Sequence, residues 1–511
     1  MTNRKLSSTV VSIFSRMTAD LAIVQVSIFL AMAAVFVPFP GRSAAEGLYF
    51  LRSYYLGVLF PLSILFSIVN SLAGLYTRVR NWATSPCLWR AASSATIAFV
   101  LVFMIASRCP HFEGFPLRGW MIFAVLAVLG TAGIRLLKHL LFEHEVQSRM
   151  GEEAVLVVGG AGYIGSIVAR KLLKKGYRVR ILDSLIYGSS AIDEILTNPR
   201  LEFVRGDCRN IQDVVKAMKD VRSVVHLAAI VGDPACDRDH KTALQINYAA
   251  TRMMIEIAKG ERVRRFVFAS SCSVYGASEE VMTETSQPHP ISVYAETKVD
   301  SEDALLAAAT ETFHPTVLRF ATIFGLSPRP RFDLVVNLLT AKARQEKLVT
   351  IFNGEQWRPF LHVSDAASAV VKMLETPVRI VGGQVYNVGD SRLNYTLTQI
   401  ADKIRQVFPE TRVEHVDNSD RRSYRVSFAK IQGQLGFTCS KTIEDGILEL
   451  KAAFEQGAIL DYRYPLYSNL KYLQQHGSPL QTDELGEQVM AALAQKPSMN
   501  EGVVESLSAS A

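Results

Sequence analysis

Residues 154–165 read AVLVVGGAGYIG, a run of apolar residues that leads directly into a loop rich in glycine. The apolar part predicts a buried parallel strand, and the residues after the loop, Ser166–Lys175, predict a helix. Glycines in such a loop let the backbone come close to a pyrophosphate at the N-terminus of the helix. The spacing is G-x-x-G-x-x-G rather than G-x-G-x-x-G, and the strand–loop–helix context strengthens a motif that is weak alone. We therefore predict a dinucleotide site formed by Gly159, Gly162, Tyr163, Ile164 and Gly165.

Carboxylates follow the next two predicted strands. Arg178–Leu182 leads into Asp183, and Leu201–Val204 leads into Asp207. A carboxylate at the end of the second strand accepts hydrogen bonds from the ribose hydroxyls and repels a 2′-phosphate, so Asp183 predicts NAD rather than NADP. Asp207 suits a contact with the adenine amino group, and a helix N-cap is the alternative interpretation.

The alternation of strands and helices continues further along the chain. Ser223–His226 precedes Ala228, which we assign to the cofactor site, and Arg265–Ala269 precedes Ser271. Helical stretches such as Ala243–Lys259 lie between the strands. This pattern predicts βαβ units, so the fold class is α/β, a Rossmann doubly wound parallel sheet.

Tyr294 and Lys298 are four residues apart, which places them on one face of a helix. Ser271 ends a predicted strand, at the edge of the sheet where ligands bind. A tyrosine is a poor base at neutral pH, because its usual pKa is about 10. A neighbouring ammonium and an oxidised nicotinamide both favour the phenolate. We predict Ser271, Tyr294 and Lys298 as the catalytic residues, with the serine hydroxyl holding the substrate oxygen and with Tyr294 and Lys298 also binding the cofactor.

Composition limits the other function classes. The chain has 511 residues, 49% of them hydrophobic and 20% charged, which excludes disorder for most of it. Six cysteines without a CxxC pair exclude a disulfide framework and a structural zinc site, and no metal is predicted. Residues 1–150 hold 13 Lys/Arg and 5 Asp/Glu, so they carry the excess of the +7 net charge. A nucleic-acid enzyme would carry that charge on its folded domain, so nucleic acid is not an expected partner.

The N-terminal part is predicted to be a membrane segment. It contains four runs without a charged side chain: Leu21–Gly41, Ser53–Thr77, Ala91–Ser107 and Gly119–Ile134. The first two are long enough to cross a bilayer, and the other two are short but end in arginines that reach the interface. Nine basic residues on one side of the four spans against four on the other place both ends in the cytoplasm. The first run is too long for a signal peptide, and no run contains an ionisable residue, so we predict an anchor in the inner membrane rather than a transporter.

Six motifs in order carry a resemblance to a known family: GGAGYIG (159–165), SSCSVYG (270–276), YAETK (294–298), RFATIFG (319–325), RPFLHVSD (358–365) and YNVG (386–389). On these, residues 154–465 resemble extended short-chain dehydrogenases/reductases of the nucleotide-sugar epimerase/dehydratase group, above all the UDP-glucose 4-epimerases. The run GLYTRVRNW (74–82) is similar to the membrane segment of membrane-anchored dehydratases of polysaccharide synthesis.

The resemblance implies the substrate side of the site. Arg358 matches the position at which these enzymes hold the diphosphate of the sugar nucleotide, and Arg422 matches a second diphosphate contact. Asn337, in RFDLVVN, is implied as a substrate contact, with a helix-start polar residue as the alternative.

The domain organisation follows from the segment and the motifs together. Residues 1–150 are the membrane segment, and 151–325 are the NAD-binding Rossmann domain with the catalytic residues. By the resemblance, 326–476 form a smaller substrate-binding part interleaved with the Rossmann domain. Residues 477–511 are interpreted as a flexible tail in which Asp483–Gln495 could form an amphipathic helix.

The residues after Ser271 distinguish the reactions of this family. Sugar 4,6-dehydratases have an Asp-Glu pair there, whereas this chain has Cys272 and Ser273. The predicted function is therefore an NAD-dependent nucleotide-sugar 4-epimerase that oxidises C4 of a UDP- or dTDP-hexose transiently. The alternatives are a 4-ketoreductase or dehydratase on the same scaffold and, more remotely, a non-catalytic sensor of NAD or sugar nucleotides. The identity of the sugar and a homodimer both stay open.

Overall fold

The computed structural model describes residues 2–36, 60–73, 85–108, 116–150, 154–417, 422–477 and 484–495. The chain divides into two compact units, Met1–Gln147 and Ser148–Ala511.

The N-terminal unit is helical in its described parts, with four helices: α1 (Thr2–Phe36), α2 (Phe60–Leu72), α3 (Ser85–Ala106) and α4 (Leu117–Met150). Alanines such as Ala95 and Ala98 on α3 are fully buried, and small residues let helices approach closely. Aromatic rings fill the remaining space, and the rings of Phe103 and Trp120 meet edge to face at 5.1 Å.

One helix in the described residues, Met17–Val35, is long and apolar enough to cross a bilayer. The apolar parts of the other three are shorter: Ser63–Leu72, Ala91–Ala106 and Leu117–Gly133. Parts of the predicted runs, including residues 37–41, 53–59 and 74–77, lie outside the described residues. The structure therefore supports one span of sufficient length and does not support the predicted segment of four spans.

A buried carboxylate lies within this candidate span, just before the first uncharged run. Asp20 is 3% exposed, and its Oδ2 accepts a hydrogen bond of 3.1 Å from Asn70 Nδ2. The amide oxygen of Asn70 in turn accepts a hydrogen bond of 2.7 Å from Ser94 Oγ. The three side chains belong to α1, α2 and α3, so a chain of polar side chains joins the three helices.

The second unit is built on parallel strands. Its strands are β1 (Ala154–Val158), β2 (Arg178–Asp183), β3 (Leu201–Arg205), β4 (Val221–His226), β5 (Arg265–Ser271), β6 (Val281–Met282), β7 (His314–Phe320), β8 (Thr322–Phe324), β9 (Leu348–Phe352), β10 (Trp357–His362), β11 (Gln384–Val388), β12 (Asn394–Thr396), β13 (Arg412–Val416) and β14 (Arg425–Val426). Seven of them form one sheet in the order β11-β7-β5-β4-β1-β2-β3. Every neighbouring pair in this sheet is parallel. This is the doubly wound α/β sheet that the sequence predicts.

The helices of the second unit cover the sheet and build the smaller part. They are α5 (Gly165–Lys174), α6 (Ile211–Met218), α7 (Asp233–Arg238), α8 (His240–Leu244), α9 (Ala250–Gly260), α10 (Val293–Ala307), α11 (Val335–Glu346), α12 (Val363–Glu375), α13 (Val378–Val381), α14 (Leu397–Val407), α15 (Ala429–Leu435), α16 (Ile443–Glu455), α17 (Asn469–His476) and α18 (Glu484–Ala494). The helix predicted over 243–259 is interrupted, because Gln245–Ala249 between α8 and α9 adopts π-helical hydrogen bonding.

Smaller sheets lie after residue 321. They are β12-β10-β8 and β13-β9, while β14 pairs with β6. Strand β11 also comes from this part of the chain but forms an edge of the large sheet. The part of the chain after residue 321 therefore contributes strands both to the large sheet and to the smaller sheets.

The C-terminal helix α18 packs on the rest of the second unit. Met490 is fully buried, Arg252 Nη1 donates to the carbonyl of Leu493 at 2.7 Å, and Lys241 pairs with Glu487 at 2.8 Å. The amphipathic helix that the sequence suggests for Asp483–Gln495 corresponds to α18, which an apolar face and two polar contacts hold in place. Residues 478–483 and 496–511 lie outside the described residues.

A half-buried carboxylate, Glu449, predicts a dependence of stability on pH. Glu449 accepts hydrogen bonds from His362 Nε2 at 2.8 Å and from Lys441 Nζ at 2.9 Å. Burial favours the protonated carboxyl, but these two donors outweigh it and lower the pKa of Glu449 to about 2. Because the pKa of Glu449 is lower in the folded than in the unfolded protein, its carboxylate stabilises the fold fully at pH values above the unfolded-state pKa. This contribution is lost as pH falls from about 4.5 toward 2.

We expect Glu449→Gln to lower the melting temperature at pH 6 and to flatten its decrease between pH 5 and 3. Thermal unfolding at a series of pH values measures this. Glu455→Gln, on the exposed side of the same helix, is the control. An unchanged pH dependence in Glu449→Gln would contradict the assignment.

Candidate active site

A cavity of about 630 Å³ opens at the carboxyl ends of the parallel strands. Strands β1, β2, β4 and β5 each end at it, which is where ligands bind in open parallel sheets. The predicted site residues that line it are Gly159, Gly162, Tyr163, Ile164, Gly165, Asp183, Asp207, Ala228, Ser271, Tyr294, Lys298, Arg358 and Arg422. Residues from all parts of the second unit therefore converge on one cavity.

The glycine loop leaves no room for side chains. A Cβ on Gly165 would lie 2.1 Å from the carbonyl oxygen of Gly159, and Gly159 has φ +82°, with Ala228 N 2.7 Å from the place of its missing Cβ. Helix α5 begins at Gly165, and no side chain caps its N-terminus. The open N-terminus and the tight glycine backbone fit the diphosphate of a dinucleotide.

Asp183 holds the loop and faces the cavity. Its Oδ2 accepts from Ala161 N at 2.9 Å, and its Oδ1 accepts from Leu185 N at 2.8 Å. Burial raises the pKa of Asp183, and these backbone donors offset part of that effect. Each oxygen keeps a further lone pair for a ribose hydroxyl, so the geometry fits the predicted NAD site.

We expect the protein to bind NAD at least about tenfold more tightly than NADP, and Asp183→Ala to narrow that ratio, because a carboxylate repels a 2′-phosphate. Dissociation constants for both cofactors measure this. Asp207→Asn is the matched control, since adenine is common to both cofactors and the ratio should stay constant. Equal affinities in the unmodified protein would contradict the role of Asp183.

Asp207 lines the cavity but is not a helix cap. Its carboxylate pairs with the guanidinium of Arg209, with Oδ2 2.8 Å from Nη2. The N-cap of α6 is Asn210, whose side chain accepts from Asp213 N. The alternative interpretation of Asp207 as a helix N-cap is therefore wrong, because the N-cap of α6 is three residues further along the chain.

The three predicted catalytic side chains meet in the cavity. Tyr294 hydrogen-bonds Ser271, whose hydroxyl also accepts from Ser273 N at 3.1 Å. Lys298 Nζ donates to the carbonyl of Ala269 at 2.8 Å and lies 5.7 Å from the centre of the Tyr294 ring. Helix α10 carries the tyrosine and the lysine on one face, and β5 delivers the serine.

The charges around Tyr294 differ from the sequence expectation. Burial raises the pKa of Tyr294, and the positive group that opposes this effect most is Arg331 rather than Lys298. Burial also lowers the pKa of Lys298 to about 8. The phenol is therefore neutral in this environment at neutral pH, and a further positive charge at the site is needed to favour the phenolate.

Asn337 does not line the cavity. It is fully buried near the start of α11, where Oδ1 accepts from Gly325 N at 2.8 Å and Nδ2 donates to the carbonyl of Arg331 at 2.8 Å. The implied substrate contact is not supported, because the amide groups are used inside the protein. Asn337 instead holds the loop that carries Arg331.

Arg358 and Arg422 lie together at the substrate end. Arg358 donates to the carbonyl of Arg422 and, at 3.2 Å, to the side-chain oxygen of Gln356. Arg422 pairs with Asp233, which lines the same cavity. The positions of the two arginines fit contacts with the diphosphate of a sugar nucleotide.

Sequence analysis missed several residues of the site. Arg329, Arg331 and Asp333 line the cavity from the loop after β8, in the run SPRPRFD. Asn247 is buried in the π-helical segment and bonds both the N–H and the carbonyl of Ile230, at 2.8 and 3.0 Å, so it fixes another stretch of cavity wall. Two arginines within SPRPRFD could have indicated the residues of this loop. Asn247 could not have been found in this way, because a π-helical segment has no characteristic sequence pattern.

In the described parts of the chain, no cluster of three or more His, Cys, Asp or Glu side chains could hold a metal ion.

Comparison with known proteins agrees with this geometry. Residues 155–389 match the NAD dependent epimerase/dehydratase family. The chain is 31% identical over 245 residues to "Uncharacterized UDP-glucose epimerase YtcB" of Bacillus subtilis, covering 46% of this chain and 76% of that protein. It is 30% identical to the UDP-glucose 4-epimerase of B. subtilis, covering 46% of this chain and 77% of that protein.

Two solved structures resemble the second unit. MoeE5 in complex with UDP-glucose and NAD is 30% identical, with a TM-score of 0.52, covering 60% of this chain and 100% of that chain. The UDP-glucuronic acid 4-epimerase from Bacillus cereus, in complex with UDP-glucuronic acid and NAD, is 26% identical, with a TM-score of 0.55, covering 59% and 99%.

Proposed function

Because the chain belongs to the NAD dependent epimerase/dehydratase family, we propose that it is a nucleotide-sugar 4-epimerase that oxidises C4 of a UDP- or dTDP-hexose transiently. The substrate class is supported by the relatives, which include UDP-glucose 4-epimerases, and by the solved complexes with UDP-glucose and UDP-glucuronic acid.

The observation that carries the proposal is the chemistry of the two residues after Ser271. The thiol of Cys272 is fully buried and donates to the carbonyl of Arg319 at 3.2 Å. Burial raises the pKa of Cys272, so it stays protonated. The Oγ of Ser273 is buried without a hydrogen-bond partner. Neither position offers a carboxylate, so the acid–base pair that eliminates water in the dehydratases is missing from these positions.

With NAD bound, epimerisation would need only the side chains that line this cavity. Bound NAD supplies a hydride acceptor and donor. Tyr294 takes the proton of the C4 hydroxyl and later returns it, while Ser271 holds that oxygen through its hydroxyl. Lys298 keeps a positive charge beside the phenol. The 4-keto sugar then turns over and accepts hydride on its other face, which needs space rather than a further acid.

Incubation with UDP-glucose, UDP-glucuronic acid and dTDP-glucose tests the function. We expect one of them to give a mixture of two C4 epimers, with no net change in NADH absorbance. A 4-keto-6-deoxy product would show a dehydratase, and stoichiometric consumption of added NADH with a keto sugar would show a 4-ketoreductase. Binding of cofactor and nucleotide sugars without any product would favour a sensor. Each of these three results would overturn the proposal.

We also propose that the N-terminal unit anchors the enzyme in the inner membrane, with the catalytic unit in the cytoplasm and near the enzymes of surface-glycan synthesis. The helix Met17–Val35, which is long and apolar enough to cross a bilayer, supports the anchor. The substrates suit it, since NAD and nucleotide sugars are cytoplasmic metabolites.

We expect the full-length protein to stay in the membrane fraction after a high-salt wash, because spanning helices are not held by surface charge. Protease added outside intact cells should leave the catalytic unit uncut, with lysed cells as the control. Release by salt would contradict the anchor, and external cleavage after residue 150 would contradict the orientation.

A further inference from the structure

The segment Gly325–Arg331 lies across the glycine loop. Tyr163 Oη donates to the carbonyl of Gly325 at 2.6 Å, and Ser327 Oγ donates to the carbonyl of Tyr163 at 2.6 Å. Ser327 Oγ is also 3.4 Å from the hydroxyl of Ser166, in the first turn of α5. These contacts fix the segment beside the helix N-terminus at which a dinucleotide's diphosphate binds.

This segment carries a buried arginine without a counter-ion. Arg329 is 6% exposed and lines the cavity. Its guanidinium stacks on the ring of Tyr187, 3.8 Å from the centre, and Nη2 donates to Asn469 Oδ1 at 2.7 Å. Its Nε is buried without a hydrogen-bond partner, and no carboxylate in the described residues lies within ion-pair distance. A buried charge in this state is costly unless an anion joins it.

The neighbouring arginine shows the contrast. Arg331 is as deeply buried but pairs with Asp333, with Nε 2.9 Å from Oδ1. The positive charge of Arg331 and, above all, burial lower the pKa of Arg329 to about 10. Asp333 and, more weakly, Asp183 attract Arg329, but Arg329 forms no ion pair with either carboxylate. Arg329 is therefore the cation of this loop whose charge the protein leaves unbalanced.

We propose that Arg329 binds the diphosphate of NAD, so that the cofactor is held between the glycine loop on one side and this guanidinium on the other. The inference rests on the NAD dependence of the family and not on which sugar reaction the enzyme performs. It places the contact on the cofactor rather than on the nucleotide sugar, because Ser327 joins the segment to Tyr163 and because Tyr187 follows the same strand as Asp183. Arg358 and Arg422 are left for the substrate.

The geometry explains how an enzyme of this kind can retain its cofactor. A guanidinium on a diphosphate forms charge-assisted hydrogen bonds, which are about twice as strong as neutral ones. The stacked ring of Tyr187 and the amide of Asn469 hold the guanidinium in place before the anion arrives, so little side-chain entropy is lost on binding. Asn469 begins α17, so the C-terminal part of the chain also supports the cofactor site.

Binding of NAD, ADP, adenosine and UDP to the full-length protein tests the proposal, with Arg329→Gln compared to the unmodified protein. We expect Arg329→Gln to raise the dissociation constants of NAD and ADP by about 10- to 100-fold, the size of a lost hydrogen bond between charged groups. Adenosine has no phosphate, so its affinity should change less than about twofold. Arg329→Lys should restore part of the NAD affinity, because it keeps the charge without the planar fork.

Arg180→Gln is the matched control, since this arginine lies on the same strand as Asp183 but bonds Glu202 and backbone carbonyls away from the cavity. It should leave the affinity for NAD unchanged. Equal weakening of adenosine and ADP in Arg329→Gln would show a merely structural role and overturn the proposal. Weaker binding of UDP with unchanged NAD would place Arg329 on the substrate and overturn it as well. None of these readouts depends on epimerase activity, so a failed activity assay would leave the result interpretable.

Discussion

Tyr294→Phe is expected to lower kcat for sugar interconversion by about 10²–10⁴-fold, the usual contribution of a general acid–base group. The phenol hydrogen-bonds Ser271 and lies within the cavity, and no other phenol in the described residues is placed between that serine and Lys298. NAD should still be retained, because the glycine loop and Asp183 are untouched. Product formation and the NAD content of the purified protein are measured together.

Tyr177→Phe is the control for this substitution. Tyr177 is buried, its hydroxyl has no hydrogen-bond partner, and it lies in the core rather than at the cavity. Removing this hydroxyl should change kcat less than about twofold, because no hydrogen bond is lost. Normal turnover in a folded Tyr294→Phe protein would show that another group moves the proton.

Gly165→Ala is expected to weaken NAD binding by at least about 100-fold, which corresponds to two lost charge-assisted hydrogen bonds. The new Cβ would lie 2.1 Å from the oxygen of Gly159 and 2.8 Å from Gly160 Cα. Both are backbone atoms, so the loop has to move away from the N-terminus of α5 and its N–H groups no longer converge. Titration of NAD and thermal unfolding measure the effect.

Gly433→Ala is the matched control, because Gly433 lies on the exposed face of α15 with nothing within 4 Å of the added Cβ. There the substitution should leave NAD affinity unchanged and stabilise the helix by about 0.5–1 kcal/mol. Unchanged NAD affinity in Gly165→Ala would mean that the diphosphate does not bind at this loop.

Local sequence patterns predicted five of the seven strands of the large sheet, β1 to β5, and much of the site. The strand starting at Ala154 begins where its apolar run begins, because a strand buried on both faces reads as an uninterrupted apolar run. Each such strand places the residue that follows it at one edge of the sheet. The positions of Asp183 and Ser271 at the cavity are therefore consequences of sequence order alone.

The membrane segment shows where composition is insufficient. Uncharged runs gave four spans, but only Met17–Val35 forms a helix of sufficient length and apolarity in the described residues. An uncharged run shows only that a segment could lie in a bilayer. Where its helix begins and ends depends also on packing against other segments. The contact of Asp20 with Asn70 is an example, since it pairs a carboxylate with an amide from a different helix.

Local sequence patterns specified the alternation of strands and helices along the chain, the glycine loop and the spacing of Tyr294 and Lys298. Each of these depends on residues that are near one another in the chain. What depended on tertiary contacts is the use of the polar side chains. Asn337 turns inward to hold a loop, Tyr294 has Arg331 as its opposing charge, and Arg329 lies on Tyr187 without a counter-ion. The physical reason is that burial and pairing set the energy of a polar group, and its partners come from distant parts of the chain that no local spacing records.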